Sequence, residues 1–440
     1  MSLSMPRALA RPLAAIPPVL AAGPAFAQAG KIDGADTAWM IVATGIVLMM
    51  TIPGLALFYA GMVRKKNVLA TMAQSLAATA VVSVLWLVLA YSLTFTGDGA
   101  FLGSLQRAFL HGMGMDAVSP FAKTIPESLF MLYQMTFAII TVALVAGGVA
   151  DRMRFSAFLI FSVAWLFLVY VPVAHWVWGG GFLGAAGLLD FAGGTVVHVN
   201  AGVAALVAAL VLGKRRGYGS ENLAPYDLSM AVVGTGLLWV GWFGFNGGSA
   251  LGAGPRAVMA ITATHMAACA GALSWTAIEW WTRGKPSVLG MISGAVAGLG
   301  TITPASGFVL PWHGLVIGAL AGWICFYACT ALKQRYGYDD SLDVFGVHGI
   351  GGATGTILCG VFATAAVSAG PDAPAGYSGL LEGHVGQVLV QFLGVAVTAA
   401  WCGVGTLLLL KATAQIVPLR VTPEDERAGL DIALHGEAIQ

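Results

Sequence analysis

The sequence predicts an all-α polytopic membrane protein of eleven transmembrane helices, and three observations predict it. Hydrophobic residues make up 58% of the 440-residue chain and charged residues only 9%, against roughly 25% charged in an average soluble domain. Apolar stretches of about 20 residues, the length that crosses a bilayer, recur along the whole chain instead of forming one anchor. Basic residues gather in alternate connections between those stretches, as expected of a chain threaded repeatedly through a membrane.

The first residues read as a signal peptide. Arg7 and Arg11 precede a short apolar run, 13–22, and the small-x-small pattern Ala25-Phe26-Ala27, so residues 1–27 are expected to be cut off after Ala27 and to leave the mature N-terminus outside. Residues 28–416 then form the transmembrane domain, with spans near 37–63, 68–95, 127–150, 155–177, 194–213, 228–248, 256–281, 287–304, 313–332, 344–368 and 386–416. The eighth is short and rich in glycine. Residues 417–440 remain as a charged tail. With the N-terminus outside, the inside segments carry fifteen Lys and Arg, from Arg64, Lys65 and Lys66 to Arg420 and Arg427, whereas the outside segments of the mature chain carry only Lys31, Arg107, Lys123 and Arg256. This asymmetry predicts N-terminus out and C-terminus in.

Several function classes lose support at this stage. Cys269, Cys325, Cys329, Cys359 and Cys402 all fall inside apolar segments and read as small packing residues. A net charge of +1 with no basic run longer than three residues gives no reason to invoke nucleic acid. Two-metal and nucleophile-type constellations are missing from the sequence, so neither an enzyme nor a cofactor is expected.

A faint internal repeat organises the spans. Gly, Phe and Gly recur at equal spacing in Gly54-Leu55-Ala56-Leu57-Phe58-Tyr59-Ala60-Gly61 of the first span and Gly241-Trp242-Phe243-Gly244-Phe245-Asn246-Gly247-Gly248 of the sixth. His198 is followed four residues on by Gly202, and His348 by Gly352. Spans one to five thus pair with six to ten. Because five is odd, the second copy runs inverted, giving a five-plus-five pseudo-two-fold repeat and a final helix. Glycine is abundant, 59 residues, and recurs at small-x-x-x-small spacing, which lets helix backbones approach closely.

His198 and His348 each stand about five residues inside an apolar span, from opposite sides of the membrane. An intramembrane ionisable residue is costly and points to a pathway or site, and an inverted repeat brings the two together near the bundle centre. Asp190 sits where the fifth helix starts, where a carboxylate accepts helix N-terminal N–H groups. Trp178 follows the fourth span in His175-Trp176-Val177-Trp178-Gly179-Gly180-Gly181, where the glycines turn the chain and aim an indole at a pore mouth. An indole face attracts a cation by about 0.5 to 2 kcal/mol. Ser249, after Gly247-Gly248, offers a hydrogen-bond acceptor in the same region.

The combination resembles the ammonium transporter family of Amt, Mep and Rhesus proteins, and most the bacterial Amt branch. The matching strings are Asp190-Phe191-Ala192-Gly193-Gly194-Thr195-Val196-Val197-His198, Gly241-Trp242-Phe243-Gly244-Phe245-Asn246 and Asp343-Val344-Phe345-Gly346-Val347-His348-Gly349, joined by Ala150-Asp151-Arg152, Lys285-Pro286-Ser287 and Thr303-Pro304-Ala305. The resemblance implies an outer recruitment site of Trp178, Phe137, Ser249 and Tyr133, the last standing where phenylalanine is common. It implies a gate of Phe137 stacked on Phe245, a pore lined by His198 and His348 that also relay protons, and structural or electrostatic roles for Asp190, Trp242 and Asn246. The tail, with Glu424-Asp425-Glu426-Arg427-Ala428-Gly429-Leu430-Asp431, is similar to the cytoplasmic tail of bacterial Amt proteins, which implies a homotrimer in the cell inner membrane regulated by a PII-type signalling protein. The expected activity is uptake of ammonium: capture outside, deprotonation at the gate and conduction of ammonia inward. Two alternatives stand beside it. An Amt-like sensor is expected to carry an added cytoplasmic signalling domain, whereas this chain ends about two dozen residues after its last span. A Rhesus-like neutral gas channel needs no aromatic cation trap, and Trp178 argues for one.

Overall fold

Inside a bilayer no water is available to the backbone, so apolar runs fold as helices that satisfy their own N–H and C=O groups. The computed structural model describes residues 30–370 and 373–439; the expected signal peptide, 1–27, lies outside the described residues. Among them, ten helices are long and apolar enough to cross a membrane: α1 (Gly34–Met62), α2 (Lys65–Phe95), α3 (Glu127–Val149), α4 (Phe155–Ala185), α5 (Gly194–Leu212), α6 (Leu228–Gly248), α7 (Pro255–Arg283), α9 (Pro311–Tyr336), α10 (Phe345–Phe362) and α11 (Val385–Ile416). The α2–α3 connection carries a small antiparallel hairpin, Val118–Ser119 with Ala122–Pro126. Ordinary capping starts several helices. Asp33 accepts the Ala35 and Asp36 N–H groups at 2.8 and 2.9 Å, and Asp227 accepts that of Met230 at 3.1 Å.

The eighth predicted span differs from the rest. Helix α8 (Val288–Ile302) has 15 residues, about 22 Å at 1.5 Å per residue, short of the hydrocarbon thickness of roughly 30 Å. Beyond it the chain runs as buried coil through Pro304 to Val309 before α9 begins. Pro304 supplies the physical reason, since proline has no N–H to continue the helix and its ring clashes with the preceding turn. The tenth span also ends earlier than predicted, at Phe362, because Thr364 starts a separate short turn whose Ala366 N–H its side chain accepts at 3.2 Å.

Burial is inverted relative to a soluble protein, as expected for a multi-pass membrane protein. Val84, Leu210, Leu273, Leu389 and Phe392 lie exposed on the outside, while His198, Asn200, Asn246, Thr264 and Thr301 are buried. Helix α3 is buried along nearly its full length and packs against α1, α2 and α5. Helices α7, α8 and α9 pack closely together, and α10 lies against α8 and α11.

The bundle has two distinct ends. At the aromatic end, the long helical run of α4 breaks after Trp178 and α6 stops at Gly248, one residue before Ser249. At the tail end, residues 417–439 fold back against the start of α2 and the α3–α4 connection. Lys66 Nζ donates to the Arg427 carbonyl at 2.5 Å, the Leu430 N–H to Asn67 Oδ1 at 2.8 Å and the Ala70 N–H to Asp431 Oδ1 at 2.8 Å.

Candidate functional site: a buried histidine pair beneath an aromatic mouth

Helices α5 and α10 each open with a π-helical turn, Gly194–Val199 and Phe345–Ile350, an irregularity that concentrates at functional sites. Each turn carries its histidine into the interior. The two Nδ1 atoms stand 3.1 Å apart, with ring planes 11° from parallel and centroids separated by 5.2 Å. A hydrogen bond between two Nδ1 atoms requires one to carry hydrogen and the other a lone pair, so two neutral rings adopt opposite tautomers. His198 Nε2 is buried without a protein partner.

Close helix crossing fixes this spacing. Gly202 and Gly352 follow their histidines by one turn, and each faces the other helix. A Cβ at Gly202 would overlap the backbone of Gly349, and one at Gly352 would lie 2.6 Å from His198 Cβ and 2.7 Å from the Gly194 carbonyl oxygen. The sequence echo His198/Gly202 and His348/Gly352 thus has a reciprocal packing cause.

Trp242 lies parallel to His198, 15° between planes and 5.7 Å between centroids. Its indole N–H donates to Thr303 Oγ1 at 2.9 Å, which uses the coil after α8 to hold the ring. Asn246 Nδ2 donates to Thr264 Oγ1 at 2.8 Å and ties α6 to α7. Around the pair is a lumen of about 10 Å³, lined among others by Leu144, Val197, Trp242, Phe245 and both histidines. Such a space holds about one water-sized molecule.

Phe137 of α3 and Phe245 of α6 stack at 4.2 Å and 21° between this lumen and a cavity of about 260 Å³ at the aromatic end. That cavity is lined by Gln134, Phe137, Trp178, Phe191, Ser249 and neighbours. Trp178 stands edge-on to Phe137, 5.6 Å away at 88°, held there because its N–H donates to the Asp190 carbonyl at 2.8 Å. The Ser249 hydroxyl donates to the Phe245 carbonyl at 2.8 Å, which leaves its lone pairs for an incoming donor. Tyr133 is placed differently from these. It is fully buried, does not line the cavity, and its hydroxyl reaches the Gly244 and Phe245 carbonyls at 3.0 and 2.8 Å and Ser249 Oγ at 3.3 Å.

Asp190 does not line the cavity either. Oδ1 accepts the N–H groups of Gly193 and Gly194 at 2.8 and 2.6 Å. Oδ2 accepts the Thr195 N–H at 2.8 Å, its hydroxyl at 2.5 Å and the Val196 N–H at 3.3 Å. Gly193 adopts φ 113° at this point, a conformation that costs a residue with Cβ dearly. One carboxylate therefore supplies the first turn of α5 with acceptors and, through its carbonyl, orients Trp178.

Opposite the aromatic end, a cavity of about 440 Å³ reaches His348 from the tail end, lined also by Tyr59, Arg215, Glu279, Lys333 and Asp343. Charged residues knit that end together. Asp151 pairs with Arg64 Nε at 3.1 Å and Arg215 Nη1 at 3.6 Å and accepts Asn67 Nδ2 at 2.5 Å; Asp339 pairs with Arg215 Nη2 at 2.8 Å. Burial works against the Asp339 anion, but the hydrogen bonds and charge of Arg215 outweigh it and hold the carboxyl below its ordinary value. Gln134 at the aromatic cavity, and Asp339, Asp340 and Arg215 at the other end, were not singled out from the sequence. Asp340 stands eight residues before His348, as Asp190 stands eight before His198, a spacing that was available as a signal.

Comparison with known proteins shows the family. The profile of the Ammonium Transporter Family matches residues 38–439. The ammonium transporter of Bacillus subtilis (strain 168) is 47% identical over 402 residues, covering 91% of this chain and 97% of the relative. The crystal structure of Saccharomyces cerevisiae Mep2 is similar at a TM-score of 0.83 and 37% identity, over 90% of this chain and 89% of that one. A structure named Sensor Amt Protein is similar at 0.83 with 28% identity, over 91% and 98%. The chain belongs to the Ammonium Transporter Family.

Proposed function

We propose that this ammonium transporter captures ammonium at the aromatic end, strips a proton from it at the Phe137/Phe245 stack, and passes ammonia along the histidine-lined lumen while the proton moves separately through the imidazole pair. The observation that carries this reading is a lumen for about one small molecule, containing two hydrogen-bonded histidines and closed by stacked phenylalanines.

The physical argument is one of cost. Removing a monovalent cation from water into a low-dielectric interior costs several kcal/mol even after relaxation, and Phe137 and Phe245 offer no oxygen to replace its hydration. Trp178 and Phe137, with about 0.5 to 2 kcal/mol of cation–π attraction each at most, detain an ion at the mouth but do not carry it through. Potassium has no further option. Ammonium gives its proton away and proceeds as a neutral molecule that donates hydrogen bonds to an unprotonated imidazole nitrogen such as His198 Nε2. The opposite tautomers let a proton arriving at one ring displace the shared hydrogen toward the other. Trp178, Phe137 and Ser249 form the recruitment site, with Tyr133 positioning the last two from behind. Asp190, Trp242 and Asn246 are positioning residues.

The loop charges support placement of the aromatic end outside and the tail inside, in the cell inner membrane, with α8 and the coil after it together making an eleventh crossing. A homotrimer and a PII-type protein at the 440 Å³ tail-end cavity complete the proposal. Sensing deserves separation from transport because the Sensor Amt Protein shares the fold.

The test is solid-supported-membrane current from purified proteoliposomes, ammonium against potassium, for wild type and a His198→Leu/His348→Leu double variant. Ammonium current in wild type, none with potassium and none in the double variant is expected. Ammonium binding without current would favour the sensor reading, and unchanged current in the double variant would sink the proton relay.

A further inference from the structure

The cavity at the aromatic end, about 260 Å³, is larger than its proposed cargo needs. Water takes about 30 Å³ per molecule in the liquid and ammonium is of similar size, so capture at Trp178, Phe137 and Ser249 uses one side of a space for several such molecules. The rest of the wall is aromatic. Phe95 of α2, Phe121 of the hairpin, Phe130 and Phe137 of α3, Trp178 of α4 and Phe191 ahead of α5 all line it. Gln134 and Ser249 are its polar side chains, and among the described residues no charged side chain lines it.

The rings stand at steep angles to one another. Phe95 meets Phe130 at 74° with centroids 5.0 Å apart, and Phe121 at 64° and 5.8 Å; Phe137 and Trp178 meet at 88°. Rings so disposed offer π faces from more than one direction. Phe191 is already engaged, because the Arg256 guanidinium carbon lies 5.0 Å from its centroid. Phe121 occupies the two-residue turn between the paired Ser119 and Ala122, and its N–H donates to Ser119 Oγ at 3.3 Å. Its half-buried ring reaches the Gly179–Gly181 break that follows Trp178, where a Cβ on Gly180 would meet Phe121 Cζ at 3.8 Å. The hairpin thus carries an aromatic ring from the start of α3 across the cavity to α4. Turns of this length favour Asn, Asp and Gly, so turn chemistry does not account for a phenylalanine there.

Rings around a space without a counter-charge suit one class of ligand. A quaternary ammonium ion has no N–H to satisfy, sheds water at low cost because its methyl groups cover the charge, and is held by ring faces at about twofold to thirtyfold in affinity per ring. We infer that the aromatic cavity is a cage for quaternary ammonium ions, in which Phe95, Phe121 and Phe130 complete what Trp178 and Phe137 begin, and that such an ion stops there. It has no proton to give up, and the lumen beyond the Phe137/Phe245 stack, about 10 Å³, has no room for its methyl groups. Occupancy of the cage stands on this geometry; the block of transport rests on the proposed entry of ammonium through the same end.

Tetramethylammonium is the probe, and tert-butanol is its neutral counterpart of like size. Purified wild-type protein is expected to gain thermal midpoint with tetramethylammonium and not with tert-butanol. In proteoliposomes the probe on the aromatic side should evoke no current of its own, raise the ammonium concentration for half-maximal current and leave the maximal current unchanged. Phe121→Leu keeps an apolar side chain in the turn and removes the π face; it should weaken both the thermal shift and the block by about threefold or more, with the ammonium half-saturation unchanged in the absence of probe. No shift with tetramethylammonium, or an equal shift with tert-butanol, overturns the cage on wild type alone, whether or not the variant assembles. A shift and block undiminished in Phe121→Leu overturn the part given to the hairpin ring. A shift that Phe121→Leu weakens, beside an ammonium current that the probe leaves untouched, keeps the cage and refutes entry through the aromatic end.

Discussion

Gly352→Ala should uncouple the two lumen histidines without removing either. The added methyl carbon would stand 2.6 Å from His198 Cβ, whereas carbon–carbon contacts settle at about 3.5 to 4.0 Å, so α5 and α10 must part by about 1 Å at that point. Carried to the rings, the same displacement opens the Nδ1···Nδ1 distance from 3.1 Å to about 4 Å, beyond hydrogen-bond range. Overpacking costs about 1 to 3 kcal/mol, and alanine recovers about 1 kcal/mol of helix propensity over glycine. The protein is therefore expected to fold, with a net loss of up to about 2 kcal/mol. Ammonium current should fall toward that of the histidine double variant. Gly300→Ala is the control: its methyl would meet the same two rings at ordinary distances, 3.8 Å from His198 Cε1 and from His348 Nδ1, and current should stay near wild type. Wild-type current in Gly352→Ala, with the Nδ1···Nδ1 bond intact in its structure, would refute the argument that packing sets the coupling.

Other consequences can be read with simple measurements. Tyr133→Phe removes the hydroxyl that bonds Gly244, Phe245 and Ser249 and should lower stability by about 1 kcal/mol, seen as an earlier thermal midpoint in detergent, while the ammonium site loses affinity only through displacement of Ser249. Asn67→Ala removes both the Leu430 bond to Oδ1 and the Asp151 bond from Nδ2; at about 1 kcal/mol or more each, trypsin cleavage at Arg427 should accelerate about tenfold or more, and an unchanged rate would mean that other contacts hold the tail. Stability against pH should bear the sign of Asp340. An acid whose folded value is raised to about 6, above an unfolded value near 3.9, binds its proton more tightly when folded, so the stability it contributes is full below about pH 4 and is lost as pH rises through about 6. Asp340→Asn should therefore gain on wild type in thermal midpoint at pH 7 to 8 and not at pH 4 to 5; a difference of opposite sign would contradict the burial argument.

Much of this arrangement was legible in the sequence because a membrane imposes two severe filters. Apolar length selects helices, and the expense of burying an imidazole singles out His198 and His348. What hydropathy does not register is interruption. The stretch 287–304 is apolar enough for a span, yet Pro304 ends it after a 15-residue helix and leads into buried coil, and that break brings Thr303 to Trp242. Nor does sequence give angles between rings on separate helices. Phe137 and Phe245 lie in different spans, and their stacking follows from how α3 and α6 cross. Asp340 was missed for a different reason. In Asp339-Asp340-Ser341-Leu342-Asp343 three carboxylates in five residues read as a solvated loop, but Arg215 neutralises Asp339 and Lys333 bridges the Asp340 carbonyl to Asp343, so the loop folds inward and buries Asp339 and Asp340.

Selectivity on the proposed route belongs to no single residue. The aromatic mouth alone attracts any monovalent cation, because cation–π attraction depends on charge and radius and not on protons. The lumen alone admits any molecule near the size of water. Only their sequence discriminates, since the stack of Phe137 on Phe245 lies between a place where the charged form is favoured and a place where only a neutral hydrogen-bond donor is. The histidines need therefore bind neither ion tightly. They must be close enough to share one hydrogen, and that distance is set by two glycines a turn away. A pore assembled this way can lose its function through one methyl group in a helix crossing that never touches the solute.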